Sequence, residues 1–329
     1  MFQKLRKSKK LLLVAMACAT FAIAGCGSDT TKNAADNGNA VTWSETFDGT
    51  KTDFAVKSSP THAVSMSQAT TEMMLQLGLE DKMAGTAFKE EEIYPPLQAA
   101  YDKVKVLSDK WPSYEVFMSV KPDFATGWPD SFSKRAIPAD KMIAQKVNIW
   151  LPESMLSTKA DLETNFNDMI KLGEIFGVKS KAEEWVAGQR KTLAAIQDKL
   201  KDLPRKRVFI YDSEDGQPFT AFEGYTTNIL KLIGADNVMS GLGVDKTWAK
   251  GSWETVIAQN PDYIIIADYG TSIRNDDDFQ QKIEKIKSNP QLQDITAVKE
   301  GHFIRVKLSE ITPGVRTVAV SYTHLTLPT

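Results

Sequence analysis

Short apolar runs with helical patterns between several of them recur along most of this chain, and they constrain its fold more than any other feature. In the first half they lie at 63–66, 83–86, 104–107, 124–127 and 147–150, and in the second at 208–211, 263–267 and 303–306. Runs this short suit strands covered on both faces, and the intervening helices supply the covers. The reading is therefore α/β with parallel sheets. The alternation is interrupted once. Residues 158–176 read as a helix closed by Gly177, and Ser180-Lys181-Ala182-Glu183 reads as a capping box that opens a second helix running to Leu203, where Pro204 stops it. Its apolar residues, Ala182, Trp185, Val186, Leu193, Ile196, Leu200 and Leu203, fall three and four apart on one face. At 1.5 Å per residue such a helix is roughly 33 Å long, enough to cross from one lobe to another.

Two lobes are also what length and repetition suggest. Roughly 280 foldable residues exceed the usual size of a single core. Ser113-Tyr114-Glu115 followed by Lys121-Pro122-Asp123-Phe124 recurs as Ser252-Trp253-Glu254 followed by Asn260-Pro261-Asp262-Tyr263, with the same internal spacing. In each copy a serine caps a short helix, a proline ends it and an apolar strand follows. Before the first core strand, residues 43–56 alternate apolar and polar around Asp48-Gly49, a hairpin signal.

The start of the chain sets the compartment. Lys4, Arg6, Lys7, Lys9 and Lys10 precede an apolar stretch at 11–24, and Ile23-Ala24-Gly25-Cys26 closes it. That is an export signal over 1–25, too short to span a membrane, and its end resembles the bacterial lipobox, which makes Cys26 the lipidated first residue of the mature protein. Cys18 would be discarded with the signal, leaving no second thiol for a disulfide. Residues 26–40 hold no large apolar side chain and read as a flexible tether. Taking the five basic signal residues from a formal net charge of −2 leaves about −7 with no basic block, which argues against a nucleic-acid partner. Residues 321–329 break the register of the preceding helical start and are set aside as an artefactual tail, with a truncated C-terminal lobe before them.

The inventory excludes most chemistry. No Gly-x-Ser-x-Gly elbow, mature free thiol or His-Glu-x-x-His is present. The loop-like run from Gly241 to Thr247 lacks the spacing of a phosphate loop. His62, His302 and His324 are too few for a receptor of a naked transition metal. The acidic run Asp212-Ser213-Glu214-Asp215 reads as a solvated loop, so no metal site is assigned and no resident cofactor is expected.

Several segments together resemble the iron-chelate (siderophore) and cobalamin class of periplasmic substrate-binding lipoproteins of ABC transporters. They are Ala63-Val64-Ser65 running to Thr71-Glu72 and Leu77-Gly78, the two Ser-aromatic-Glu segments with their Pro-Asp, Leu172-Gly173 to Phe176-Gly177, Val208-Phe209-Ile210-Tyr211-Asp212, and Thr312-Pro313-Gly314-Val315-Arg316. The resemblance runs from about Val41 to Ala319. It implies the class III periplasmic-binding-protein fold, with a lobe at 41–178, an interdomain helix at 179–204 and a second lobe at 205–320, and a function as a non-enzymatic, monomeric, extracytoplasmic receptor. Its ligand would be a metal chelate, a ferric siderophore first and cobalamin, haem or another cofactor as the alternative. In such a fold the ligand sits between the lobes, at the carboxyl ends of the strands. Phe88, Trp128, Arg135, Tyr211, Trp248, Tyr269 and Arg316 lie near strand ends and become the candidate ligand-binding residues, with Trp128 and Arg316 foremost. A planar chelate of net negative charge would take aromatic faces and arginine forks. The resemblance also assigns Glu115 and Glu254, one per lobe, to docking on the paired permease subunits, which work with an ATPase.

Overall fold

The computed structural model describes residues 40–269 and 278–318. The signal segment 1–25, Cys26, nearly all of the tether and the tail at 321–329 lie outside them.

Each half of the chain builds a parallel sheet. In the first, the strands lie in the order Val106–Ser108, Met83–Ala87, Ala63–Ser65, Phe124–Thr126, Asn148–Trp150, so all five apolar runs form the strands expected of them. In the second, the order is Ala235–Asn237, Lys206–Tyr211, Tyr263–Asp268, Phe303–Lys307. The chain leaves its first strand to one side and returns to the other in both sheets. Each therefore has a switch point beside that strand, where the loops at the carboxyl ends splay apart and open a crevice. A small antiparallel sheet of Ser213–Asp215, Gln217–Ala221 and Trp248–Lys250 extends the second lobe. The hairpin pairs Val41–Phe47 with Thr50–Val56, and positive φ at Asp48 and Gly49 turns it.

The repeated segment has a physical role in both lobes. Lys121 and Asn260 take positive φ just before their prolines, and the next residue, Asp123 or Asp262, points its carboxylate at backbone N–H groups entering the lobe's first strand. Asp123 accepts from the N–H of Thr61 and His62 at 2.8 and 3.0 Å, and Asp262 from that of Arg207 at 2.9 Å.

Between the lobes runs the helix Lys179–Leu200, 22 residues long. Its start departs from the capping-box reading. The preceding helix, Leu162–Ile175, closes through Gly177 at φ 71°, with the N–H of Gly177 and Val178 donating to the carbonyls of Glu174 and Gly173. That turn feeds the chain straight into the next helix, so Val178 is the cap and Ser180 already lies inside. The first of the pair likewise starts later than expected, at an Asp161–Thr164 capping box. Gly173 lets the two helices cross closely, since a Cβ there would stand 2.9 Å from that of Ala182 and 3.1 Å from the Cα of Lys179. Ala182, Val186 and Ile196 are buried in one apolar cluster that continues from Phe124 in the first sheet to Val208 and Ile265 in the second. Trp185, Leu193 and Leu200 pack on its edge, and Leu203 is exposed beyond the helix.

Candidate functional site: an aromatic cleft between the lobes

The loops at the two switch points face each other across a cavity of about 270 Å³. From the first lobe come Phe88, Glu90, Trp111, Trp128 and Asp130, and from the second Asp212, Phe219, Glu223, Tyr225, Trp248 and Tyr269. Phe88 follows a strand directly and takes the left-handed conformation at φ 59°, which lays its ring on that of Trp111 at 4.5 Å and 11°. A phenylalanine in that conformation is strained, and the stacked pair holds it there. Gly127 precedes Trp128 because a Cβ at that point would stand 2.8 Å from the Cβ of Met66. The Trp128 indole donates to Glu90 at 3.0 Å. Opposite, Trp248 stacks on Phe219 at 6.2 Å, and the Tyr269 hydroxyl donates to Asp212 at 2.5 Å.

Four of the seven candidate residues are thus brought together: Phe88, Trp128, Trp248 and Tyr269. The other three lie elsewhere. Tyr211 is the last residue of its strand and is 1% exposed, packed on Trp253 in the core, with its hydroxyl donating to Glu214. Arg135 pairs with Asp130 in solvent and does not line the cavity. Arg316 is buried and forks onto Glu72, with Nε to Oε2 at 2.8 Å and Nη2 to Oε1, while Nη1 donates to Glu91 at 3.1 Å. It ties the end of the second lobe to the first helix of the other. Among the described residues that line the cavity there is no lysine or arginine, so the arginine forks expected for an anionic chelate are absent from this lining.

Sequence reasoning missed Trp111, Phe219 and the carboxylates. Trp111 lies three residues past a strand end and was open to the reasoning that pointed to Phe88. Phe219 lies in the small antiparallel sheet, which the sequence did not announce. Burial raises Glu90 to about 7, against the indole hydrogen bond that lowers it, and the charges of Glu91 and Glu72 add to the rise. Glu91 is likewise raised to about 7, chiefly by burial, although Ser309, Arg316 and Lys307 oppose it.

Glu115 and Glu254 are both exposed in the first turn of short helices, Tyr114–Ser119 and Trp253–Gln259. Each is held below the usual carboxylate range by its own backbone N–H and then by the capping serine, Ser113 or Ser252. No helix among the described residues is long and apolar enough to cross a membrane.

Two parallel-sheet lobes, one long connecting helix and an aromatic cleft at facing switch points define a class of two-lobed ligand receptor. The periplasmic binding protein model matches residues 64–308, and the chain belongs to that family. A crystal structure of a periplasmic binding protein from Veillonella parvula is 92% identical, with a TM-score of 0.83 over 87% of this chain and 99% of that one. The uncharacterized ABC transporter substrate-binding lipoprotein YvrC of Bacillus subtilis is 26% identical over 272 residues, 80% of this chain and 82% of its own. A structure from an ABC-type Fe3+-hydroxamate transport system of Saccharomonospora viridis shares the fold, with a TM-score of 0.66 at 18% identity over 84% of this chain and 95% of that one.

Proposed function

We propose that this protein is the extracytoplasmic receptor of an ABC importer, that it captures a metal chelate in the inter-lobe cleft, and that the chelate is a ferric siderophore, with cobalamin or haem as the alternative. The observation that carries the reading is the cavity itself, with Phe88 and Trp128 from one lobe opposed to Trp248 and Tyr269 from the other. Opposed aromatic faces suit a bulky organic chelate, which brings its own metal ligands. The relatives named for substrate binding and for Fe3+-hydroxamate transport support the same class. Cys26 anchors the monomeric protein to the membrane through lipid, and Glu115 and Glu254 dock on the paired permease subunits.

A thermal-shift panel of ferric hydroxamates, ferric catecholates, haem and cobalamin tests the capture. A ligand at 100 times its dissociation constant should stabilise the protein by about 2.7 kcal/mol, and no response to any member would reject the chelate reading. Cys26→Ala should abolish acyl labelling. Joint Glu115→Ala and Glu254→Ala should lower uptake at unchanged chelate affinity, so normal uptake by that variant removes the docking role.

A further inference from the structure

Behind the aromatic cavity lies a recess of about 10 Å³, bounded by Gln68, Glu90, Glu91, Trp128, Tyr269 and Ser309. It shares Glu90, Trp128, Tyr269, Leu308 and Thr312 with the main cavity, so the two adjoin. Its volume is about that of one water-sized group. Glu91, 3% exposed, accepts from Ser309 and Arg316 through Oε1, but its Oε2 is buried with no hydrogen-bond partner.

Charge around the recess is unbalanced. Glu72 and Glu91 share a single guanidinium, Arg316, which Glu72 already holds with two nitrogens, and Glu90, bonded to the Trp128 indole, stands close enough to both for their charges to act on it. The other cations nearby have acidic partners of their own: Lys307 pairs with Glu92 at 3.3 Å, and Lys282, 4.8 Å from the Tyr269 ring, pairs with Asp278 at 2.6 Å. A water molecule could donate to Glu91 Oε2 but would leave these carboxylates, where ionised, without a counter-charge. A small cation removes both deficits, and aromatic rings beside carboxylates are the usual setting for an ammonium group.

We propose that this recess is a subsite for a primary ammonium group of the ligand, seated between Glu90 and Glu91 beside the rings of Trp128 and Tyr269, so that the receptor prefers amine-bearing chelates to anionic ones. This rests on the chelate-receptor reading and deepens it. The raised carboxyls of Glu90 and Glu91 fit the assignment. An incoming cation favours their ionised forms, so affinity for it should rise with pH through about 7. The groups facing this pair are Trp128, Glu72 and Tyr269 around Glu90, and Ser309, Arg316, Lys307 and Glu72 around Glu91. Glu310, which acts on Arg316, lies one step further out.

The test compares ligands on the full chain in detergent, by calorimetric titration at pH 6 to 8. The probes are ferrioxamine B, a ferric trihydroxamate with one free ammonium group, its N-acetylated neutral form, and a trianionic ferric tris-catecholate, alongside haem and cobalamin. Ferrioxamine B should bind about tenfold or more tightly than the acetylated form, more weakly at pH 6 than at pH 8, while the acetylated form keeps a flat pH profile. Equal affinity of the two forms, or tighter binding of the catecholate, overturns the subsite and leaves the chelate reading standing. So does binding of haem or cobalamin alone. Binding of no probe removes both readings. Glu90→Gln should narrow the gap between the ammonium and acetylated forms, and a full gap in a folded variant counts against the assignment. The comparison of ligands on the unmodified chain decides the matter even where that variant fails to fold.

Discussion

Arg316 is 3% exposed and Glu72 2% exposed, and they meet across the two lobes although they stand 244 positions apart in the chain. Two charges taken out of water repay their desolvation only while both are present, so deleting one leaves the other buried and unpaired. Arg316→Ala should therefore destabilise the protein by about 3–5 kcal/mol, read as a lowered urea midpoint, and an unchanged midpoint would show that the fork is ornamental. The sequence pointed to a ligand-binding arginine here because Pro313-Gly314 reads as exposing the start of a helix. A partner so distant in the chain leaves no local signal. The aromatic candidates fared differently: Phe88 and Trp128 lie one and two residues past their strand ends, and in a parallel sheet the loops that start there face the crevice. Tyr211 ends its strand one residue earlier and remains in the core, so that Asp212, the next residue, is the one that lines the cleft.

At the scale of elements, the crossing of Leu162–Ile175 and Lys179–Leu200 depends on Gly173. Alanine is the better helix former by about 1 kcal/mol, which by itself would make Gly173→Ala stabilising. The added methyl, however, would lie 3.1 Å from the backbone Cα of Lys179, where no rotamer change gives relief, as well as 2.9 Å from Ala182. Overpacking costs about 1–3 kcal/mol, so Gly173→Ala should be net destabilising, and a raised denaturation midpoint would contradict the close crossing. Strands announced by continuous apolar runs were legible in advance. Ala235–Asn237 was not, since Ala-Asp-Asn carries no apolar run and becomes a strand only through parallel pairing with Lys206–Val208. The misplaced start of the long helix has a comparable cause. Ser180-Lys181-Ala182-Glu183 has the composition of a capping box, but the turn at Gly177 sets where the helix begins, and that turn is a backbone event.

For the whole molecule, buried acids set the response to pH. Glu45, Glu90 and Glu91 are raised to about 7 and Asp168 to about 6, each chiefly by burial. The folded protein thus keeps protons that the unfolded chain releases above about 4.5, and the stability gained from holding them is lost as pH rises through about 7. Urea midpoints should fall between pH 5 and pH 8, and a rise over that interval would contradict the burial of these groups. The lobes are also stitched together beyond the long helix: Asn165 exchanges two hydrogen bonds with the backbone of Gly314, and Asn228 donates to the carbonyl of Ala160. Bending a continuous helix sacrifices its hydrogen bonds, so scattering curves with and without ligand should nearly superimpose, and a large hinge rotation on loading would contradict that rigidity. Arg316, forked across the gap, has a consequence for traffic at the membrane. A receptor pinned in one posture shows a transporter nearly the same face whether full or empty, so vacant copies queue for the same berth as laden ones. Import would then track the laden fraction of the receptor pool, and surplus empty receptor would slow it.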